Sequence, residues 1–432
     1  MLPISRLKFG QNGASARRGY MNRVLESVIG KLVPNGNLRI ILPDGRELQF
    51  GDGEGDLVVA RFTDAAAVRA LMLDPDLRLG ELYMDGRLVI ERGTIFDFLV
   101  LLLRNSSGDP DTWWTTLHDH LRYYTRGLFQ HNVGRRSKDN VAHHYDLDDR
   151  LYELFLDADR QYSCAYFETG KETLDQAQLE KKRHIAAKLC LEPGQSILDI
   201  GCGWGGMALY LAEAGQAGKV LGVTLSEEQL KVAQRRARDA GLADRVSFAL
   251  QDYRKVEGSF DRIVSVGMFE HVGAGYYDIY LRTAHKLLKP NGVMLLHTIG
   301  SSDKPAFTNP WIQKYIFPGG YIPSMSEALR AIERARLVVT DVEVLRLHYA
   351  KTLHHWRDRF LARREEAKAL YDDRFCRMWE FYLAASETAF LYQDTVVFQF
   401  QLARKQDNVP LTRSYLVPSE AALAGREKPP TP

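Results

Sequence analysis

The chain has little cysteine, no dominant charge and no long apolar run. Its four cysteines, at positions 164, 190, 202 and 376, show no Cys-x-x-Cys spacing, and the start Met-Leu-Pro-Ile-Ser-Arg lacks the apolar core of a signal peptide. We therefore expect a reducing cytoplasm as the compartment. The 57 basic and 55 acidic residues leave a net charge of +2, and the longest apolar run, Phe96–Leu103, contains Asp97. These features exclude a strongly nucleic-acid-seeking surface and a membrane-spanning helix.

The length of 432 residues predicts two domains rather than one. Short strand and helix patterns fill the first part of the chain, and a regular alternation of strands and helices begins near residue 141. We expect a small α+β domain over 1–125, a polar linker over 126–140, a catalytic domain over 141–415 and a disordered tail over 416–432.

The first forty residues are strongly basic. Seven Lys and Arg residues (Arg6, Lys8, Arg17, Arg18, Arg23, Lys31, Arg39) stand against Glu26 alone, which gives a local charge of +6. Apolar residues from Met21 to Val33 recur at the spacing of one helical face. This amphipathic basic helix either packs on its own domain or contacts an anionic membrane surface, and both interpretations stay open.

Beyond residue 141 the pattern predicts a doubly wound, mostly parallel α/β sheet. Predicted strands lie near 196–200, 219–223, 246–249, 261–266 and 292–298, and a last strand covers Thr395–Leu402. In the N-terminal part, strands are predicted at Leu38–Leu42, Glu47–Phe50 and Leu57–Phe62, with helices at Asp64–Leu73 and Thr94–Arg104. Trp113–Phe129 reads as one further helix.

Residues 197–206, Ile-Leu-Asp-Ile-Gly-Cys-Gly-Trp-Gly-Gly, predict a nucleotide-cofactor site. Gly201, Gly203 and Gly205 remove the Cβ atoms that keep a ligand away from the backbone at the start of a helix. The glycines at 201, 203 and 206 also fit the Gly-x-Gly-x-x-Gly motif of nicotinamide and flavin enzymes. However, the next predicted strand ends at Thr224, where a dehydrogenase needs an acidic residue. An acid within the first strand, Asp199, favours an S-adenosylmethionine enzyme over a dehydrogenase or a purely structural turn.

Polar residues follow the other predicted strands, and ligands of open parallel sheets gather at such strand ends. Thr224 and Gln229 offer groups suited to ribose and amino-acid atoms, Asp252 and Tyr253 suit an adenine edge and face, and Glu270 places a carboxylate near the substrate. For Asp252, a helix N-cap is an equally good interpretation.

Several motifs together resemble the cyclopropane-fatty-acyl-phospholipid synthases and mycolic acid cyclopropane synthases. They are Tyr162-Ser163-Cys164-Ala165-Tyr166-Phe167, the glycine loop from Leu198 to Gly206, Val223-Thr224-Leu225-Ser226, Met268-Phe269-Glu270-His271-Val272-Gly273 and Leu296-His297-Thr298-Ile299-Gly300. Order and spacing match over about 141–402, and the N-terminal 125 residues resemble the extra domain of the phospholipid-acting members. The resemblance implies a seven-stranded Rossmann-like methyltransferase sheet and adds Tyr162 and Ser163 to the cofactor set.

In that family an alkene attacks the sulfonium methyl group, and the resulting cation loses a proton to close a ring. The resemblance implies that bound bicarbonate accepts this proton, held by Cys164, Glu270, His297, Ile299 and Tyr349. Each has a structural alternative: Cys164 is otherwise a small buried hydrophobe, His297 a satisfied core histidine and Glu270 part of a helix start. Metal binding by Cys164, His297 and Glu270 lacks a local zinc pair, and we expect no metal there. His143-His144 are expected to help order a segment over the cofactor.

An acyl chain needs a dry environment, since each methylene exposed to water costs about 0.8 kcal/mol. The aromatic segment from Trp311 to Ile322, interrupted by Pro318-Gly319-Gly320, is expected to form a tunnel wall or lid, with ordinary core packing as the alternative. Residues 371–382 are a second candidate lining.

The expected substrate is an unsaturated membrane phospholipid, reached from the cytoplasm by peripheral contact with the inner membrane. No nucleic-acid partner is expected, and a homodimer stays open. Two alternatives remain for the function: a lipid methyltransferase that gives a methyl- or methylene-branched chain, and a lipid-binding protein whose methyltransferase domain is inactive.

Overall fold

The structure is a computed structural model that describes residues 25–105 and 147–427. The chain divides into two compact units, one made of Met1–Pro110 and Asp372–Thr388, the other of Asp111–Tyr371 and Ala389–Pro432. The predicted linker at 126–140, the predicted helix Trp113–Phe129 and His143-His144 lie outside the described residues, as do residues 1–24.

The N-terminal unit contains a four-stranded sheet of order β2-β1-β3-β4. Its strands are β1 (Leu38–Ile41), β2 (Glu47–Phe50), β3 (Val58–Phe62) and β4 (Leu88–Arg92), and its helices are 25–32, Ala65–Leu73, Pro75–Met84, Ile95–Leu103 and the first part of Asp373–Tyr392. Strand β1 pairs antiparallel with β2 and parallel with β3. The predicted α+β character of this part is confirmed.

Most of the apolar stripe predicted from Met21 to Val33 faces inward over the described residues 25–33. Leu25, Ile29 and Val33 are buried at successive helical turns, while Val28 is partly exposed. Burial of this face favours packing on its own domain for residues 25–33.

The second unit contains a seven-stranded sheet of order β10-β11-β9-β8-β5-β6-β7. Its strands are β5 (Ser196–Ile200), β6 (Lys219–Thr224), β7 (Val246–Leu250), β8 (Phe260–Val266), β9 (Leu288–Ser301), β10 (Val338–Leu345) and β11 (Thr395–Ala403). Strands β5 to β9 pair in parallel, and β11 runs antiparallel to both β9 and β10. The predicted mostly parallel α/β sheet is confirmed.

Helices cover this sheet, and apolar side chains fill both interfaces. They span Asp149–Glu153, Leu174–Lys188, Gly206–Glu213, Glu227–Asp239, Tyr277–Leu287, Pro310–Tyr315, Met325–Arg334, His348–Ala362, Arg364–Leu370 and Leu416–Ala424. Every residue of β5 from Ile197 to Ile200 is buried, as expected for a parallel strand with helices on both faces.

Strand β10 was not located in the sequence, although seven strands were expected. It is a partly exposed edge strand that carries Thr340, Asp341 and Glu343, so it lacks the apolar run that marks the inner strands. The charges have partners in the fold: Glu343 accepts from His184 and Lys188, and Asp341 pairs with Arg413.

The expectation of a disordered tail from 416 differs from the structure. A helix covers Leu416–Ala424, Leu423 is buried in it, and Glu427 accepts hydrogen bonds from Arg183 and Tyr210. These partners lie more than 200 positions earlier, so composition alone did not reveal them. Pro418 is compatible with the helix because it falls in the first turn.

The segment Asp372–Thr388 groups with the N-terminal unit, whereas the sequence boundaries placed it in the catalytic domain. Three interactions connect it there: Arg374 to Asp85, Arg377 to the Met84 carbonyl, and the Tyr83 hydroxyl to Glu380. All three join residues almost 300 positions apart, a distance at which local pattern gives no information.

Among the described residues, no helix is both long enough and apolar enough to cross a membrane.

Candidate functional site

A cavity opens at the carboxyl ends of β5, β6, β7 and β8. This position follows from the parallel sheet, where strand ends and the loops after them meet at one edge. Its walls include Gln161 to Ser163, Asp199 to Trp204, Val223 to Leu225, Gln229, Gln251, Tyr253, Arg254, Val266 to Met268, His271, Val272 and Tyr276. Of the ten predicted cofactor residues, eight line it: Tyr162, Ser163, Asp199, Gly201, Gly203, Thr224, Gln229 and Tyr253.

The three loop glycines have different local surroundings. All have positive φ, but a Cβ on Gly201 would lie 2.8 Å from the Met268 side chain, and one on Gly205 would lie 2.7 Å from Phe248. A Cβ on Gly203 would meet nothing within 4 Å. Gly203 therefore leaves open space at the cavity wall, whereas Gly205 lies outside the lining and permits close packing at the helix start.

Asp199 is the one acidic residue among the described residues that line the cavity. Its side chain is almost fully buried, and burial raises its pKa to about 7. Its Oδ2 atom has no hydrogen-bond partner in the described part of the chain. A buried carboxylate oxygen without a partner is costly, which suits it to a cationic or hydrogen-bond-donating ligand.

Asp252 does not line the cavity. Its carboxylate caps the short helix Tyr253–Lys255 by accepting from the Arg254 backbone N–H at 2.9 Å, and it also accepts from the Arg254 guanidinium at 2.9 and 2.5 Å. This geometry matches the N-cap interpretation, and the neighbouring Tyr253 and Arg254 reach the cavity instead. Thr224 and Gln229 line the cavity and bond to each other at 3.1 Å.

A buried lysine supports the cavity wall. The Lys181 Nζ atom donates to Gln161 Oε1 at 2.6 Å and to Ser163 Oγ at 2.8 Å, and the lysine is fully buried. Burial lowers its pKa. Sequence reasoning missed Lys181, because a lysine in the run Lys181-Lys182-Arg183 gives no signal that it points inward.

None of the five residues of the expected anion site lines the cavity. Four of them are buried and Ile299 is partly buried. Glu270 follows β8, and its neighbours Met268 and His271 line the cavity. Its Oε1 atom accepts from the Ile299 backbone N–H at 2.5 Å, while Oε2 is buried with no hydrogen-bond partner among the described residues. Burial raises the Glu270 pKa to about 7.

His297 lies two residues before Ile299 on β9 and is buried. The pKa of His297 is lowered to about 3, mainly by burial and to a lesser extent by the positive charges of Lys181 and Lys188. Its Nδ1 atom lies 3.2 Å from the Gln399 side-chain nitrogen. The imidazole is therefore neutral at physiological pH.

Cys164 and Tyr349 are also buried. Burial raises the pKa of Cys164, and the positive charge of Lys181 partly opposes this effect, so Cys164 stays a thiol. The same lysine charge helps to lower the pKa of His297. The Tyr349 ring packs 4.8 Å from Phe390 and edge-on to Trp356 at 5.8 Å, centroid to centroid.

The aromatic segment from Trp311 to Ile322 has a mixed role. Trp311, Ile316 and Tyr321 are buried, which fits the core alternative. The segment nevertheless contacts the site, since the Tyr321 N–H donates to the Glu270 carbonyl at 2.9 Å and the Phe317 ring lies edge-on to His271 at 5.7 Å. In the described ranges, no three His, Cys, Asp or Glu residues are arranged to hold a metal ion.

The chain is similar to several known proteins. A family model described as mycolic acid cyclopropane synthetase matches residues 133–400. A cyclopropane-fatty-acyl-phospholipid synthase of Escherichia coli (strain K12) is 41% identical over 340 residues, which is 79% of this chain and 86% of that protein. A tuberculostearic acid methyltransferase of Mycobacterium tuberculosis is 32% identical over 414 residues, covering 91% and 92% respectively.

The solved structures give the same result. The mycolic acid cyclopropane synthase CmaA1, in a complex with SAH and CTAB, superposes with a TM-score of 0.58 and 35% identity over 61% of this chain and 97% of that one. These matches confirm the resemblance that the sequence motifs predicted, and they confirm the methyltransferase fold.

Proposed function

The chain belongs to the mycolic acid cyclopropane synthetase family, and from this premise we propose that it is an S-adenosylmethionine-dependent enzyme acting on lipids. It transfers the methyl carbon of its cofactor to the cis double bond of an unsaturated phospholipid acyl chain, and bicarbonate-assisted loss of a proton gives a cyclopropane ring. One observation carries the proposal. Among the described residues, the cavity lining at the strand ends contains one buried acid, Asp199, and a second buried acid, Glu270, lies two residues after the cavity-lining Met268.

The residues that line the cavity suit the charge and polarity of S-adenosylmethionine. The cofactor is a sulfonium with a transferable methyl group, and it carries positive charge that complements the unpaired Oδ2 of Asp199. Gly203 leaves room for a ligand against the backbone. Thr224, Gln229 and Tyr253 would hold its polar and aromatic parts, while Gln161 and Ser163 are kept in place by Lys181.

The residues around Glu270 fit a small anion such as bicarbonate. When bound, bicarbonate would supply a proton acceptor close to the reacting carbon. The unpaired Oε2 of Glu270 offers a hydrogen-bonding position, and a carboxyl whose pKa is about 7 also exists in the protonated form that donates to an anion. His297 is neutral and Cys164 is a thiol, so both keep a proton to donate.

The chain's own residues would protect a cationic intermediate from water. Tyr162 lines the cavity, and its ring lies 5.2 Å from Trp356 and 5.4 Å from Tyr152. Aromatic faces attract cations by about 0.5–2 kcal/mol each when desolvated. Exclusion of water matters because water would trap the cation as an alcohol.

A methyl- or methylene-branched product is the second candidate. The relative named tuberculostearic acid methyltransferase spans nearly the whole chain, and both products require the same cofactor and the same type of cation. They differ in the fate of that cation. Loss of a proton from the added methyl group closes the ring, and loss from the methyl-bearing carbon leaves a methyl-branched alkene. A methylene branch needs a hydride shift before the proton leaves the methyl group.

Membrane contact is proposed from the N-terminal sequence. The basic residues at 6 to 23 lie outside the described part of the chain, and the apolar face at 25–33 is buried within its own unit. The attraction would therefore be mainly electrostatic, between these basic residues and anionic lipid at the cytoplasmic face of the inner membrane.

Lipids from a host that expresses the chain test the proposal. Mass spectrometry should show acyl chains heavier by one methylene group, and proton NMR should show cyclopropane signals with loss of the alkene signals. Expression of Glu270→Gln serves as the matched control. A gain in mass with methyl-branch signals selects the second candidate, and unchanged lipids with intact cofactor binding contradict both.

A further inference from the structure

A chain of three buried side chains connects a helix to the expected anion site. The Nζ atom of Lys188 donates to Gln399 Oε1 at 2.9 Å, and Gln399 Nε2 lies 3.2 Å from His297 Nδ1. The exposed fractions of Lys188, Gln399 and His297 are 1%, 0% and 2%, so water does not compete for these bonds. Gln399 and His297 are directly paired across the antiparallel β9–β11 ladder.

The direction of each bond follows from the donors available. An ammonium group can only donate, so the Gln399 oxygen must face Lys188. The Gln399 amide nitrogen, which can only donate, must then face His297. The Nδ1 atom of His297 is therefore an acceptor, and a neutral imidazole with an acceptor Nδ1 carries its proton on Nε2.

Lys188 is itself held in position. It forms an ion pair with Glu343, and a second carboxylate, that of Asp341, lies 3.8 Å away. Glu343 also accepts from His184 Nε2 at 2.7 Å. Although burial lowers the Lys188 pKa, the paired carboxylates favour its charged form, so the oxygen of Gln399 stays oriented toward it.

We propose that Gln399, oriented by Lys188, is a positioning residue that fixes His297 as the neutral Nε2–H tautomer. This inference rests on the proposed function for its purpose: His297 then presents an N–H donor, on the ring edge away from β11, to the small anion that accepts the substrate proton. A histidine in this state orients the anion and does not itself remove the proton.

The tautomer can be measured directly. Nitrogen-15 NMR of labelled chain distinguishes protonated from unprotonated ring nitrogens, and the spectrum of His297→Asn identifies the His297 signals. Wild-type protein should show protonated Nε2 and unprotonated Nδ1 near neutral pH. Protonation at Nδ1, or at both nitrogens, overturns the inference.

Two substitutions change the partner of Nδ1. Gln399→Glu presents only acceptors, so we expect the His297 proton to move to Nδ1 or a second proton to be taken up. Gln399→Met removes the partner and should give a mixture of tautomers. Both should raise the bicarbonate concentration for half-maximal activity by about tenfold or more, as for loss of a hydrogen bond to an anion, with unchanged affinity for S-adenosylhomocysteine.

Gln401→Met is the matched control. Gln401 is equally buried on the same face of β11, but its amide donates to the Lys188 carbonyl at 2.5 Å and to the Tyr415 hydroxyl at 2.8 Å. It should leave the His297 tautomer and the bicarbonate dependence unchanged. If Gln401→Met shifts the tautomer as much as Gln399→Met does, the effect is general loosening of the core, and the positioning role is wrong.

The tautomer of His297 and the anion site can be disproved independently. A wild-type Nε2–H tautomer in a chain whose activity ignores bicarbonate contradicts the proposed anion site and leaves the orientation of His297 intact. Bicarbonate-dependent activity in a wild-type chain with the Nδ1–H tautomer contradicts the positioning role of Gln399 and leaves the proposed anion site intact.

Discussion

The side chain of Glu270 accepts a hydrogen bond from the backbone N–H of Ile299, with 2.5 Å between Oε1 and N. This bond joins the turn after β8 to the end of β9, two strands that are neighbours in the sheet. It also leaves the second carboxylate oxygen buried without a partner among the described residues. One acidic side chain thus combines a fixed position with unused hydrogen-bonding capacity.

Glu270→Gln should reduce turnover and leave the affinity for S-adenosylhomocysteine near the wild-type value. The amide keeps the shape but loses the carboxyl chemistry, and the loss of a proton-transfer arrangement typically costs about 10²–10⁴-fold in rate. Steady-state assays and calorimetry measure the two quantities. If the substitution weakens cofactor binding while turnover at saturation is intact, Glu270 belongs to the cofactor site.

Asp199 should make the ligand-free protein less stable as pH rises. Burial raises its pKa in the folded protein to about 7 from the ordinary value of 3.8, so between these values the unfolded chain releases a proton that the folded chain retains. Below pH 3.8 the Asp199 carboxyl is protonated in both states and its contribution to the free energy of unfolding is fully present. As the pH rises from there toward 7, that free energy falls by up to about 1.4 kcal/mol per pH unit. Urea unfolding across this range should show a steeper loss of stability in wild type than in Asp199→Asn, because Glu270, whose pKa burial also raises to about 7, contributes equally to both proteins. Parallel curves would contradict the prediction.

Gly203→Val should abolish cofactor binding and preserve the fold. Its Cβ would enter open space at the cavity wall, and the backbone has φ of +54°. Gly241→Val is the control, because Gly241 has φ of +67° and no atom within 4 Å of a built Cβ, but lies outside the cavity lining. Both variants carry the left-handed backbone cost of about 1–2 kcal/mol. Calorimetry should find binding in the second alone; binding in both would place the cofactor elsewhere.

Leu423→Ala should destabilise the protein by about 2–5 kcal/mol, as other buried Leu→Ala changes do. Leu423 is 5% exposed in the helix Leu416–Ala424, whereas Val417 in the same helix is 74% exposed. Val417→Ala should change stability by less than about 0.5 kcal/mol. Equal effects in denaturant unfolding would mean that this helix does not pack as the structure has it.

Binding to anionic vesicles should decrease with added salt and decrease further after Arg17, Arg18 and Arg23 are changed to Glu. Each basic residue near such a surface contributes about 1 kcal/mol, and salt screens the attraction. A control with the same charge change uses exposed arginines of the catalytic unit: Arg235, Arg238 and Arg282. Equal sedimentation of both variants with vesicles would rule out a specific role for the N-terminal basic residues.

The order and type of the inner elements could be predicted from the sequence because they depend on local pattern. The apolar runs of β5, β6 and β8, and the glycine loop that follows β5, are short-range signals of a parallel sheet with a ligand site at its strand ends. The motif around Glu270 was equally visible. The edge strand β10 escaped prediction because solvent on one side removes the apolar run.

Other features depend on partners distant in the chain. The inward direction of Lys181 depends on Gln161 and Ser163, which lie 20 and 18 positions earlier. The grouping of Asp372–Thr388 with the N-terminal unit depends on residues almost 300 positions away. Asp252 is the opposite case, because a partner close in the chain decides its role. Its place after β7 suggested a ligand role, but its bonds to Arg254, two residues later, make it a helix cap.

The sequence by itself determined the family, the sheet and the chemical types available at the site, because these depend on composition, spacing and period. The tertiary structure decided the protonation and orientation of those groups. Burial sets the pKa of Asp199, Glu270 and His297, and the cross-strand pairing of His297 with Gln399 sets which ring nitrogen bears the proton. Both are properties of an enclosed environment assembled from distant segments, and no single segment contains them.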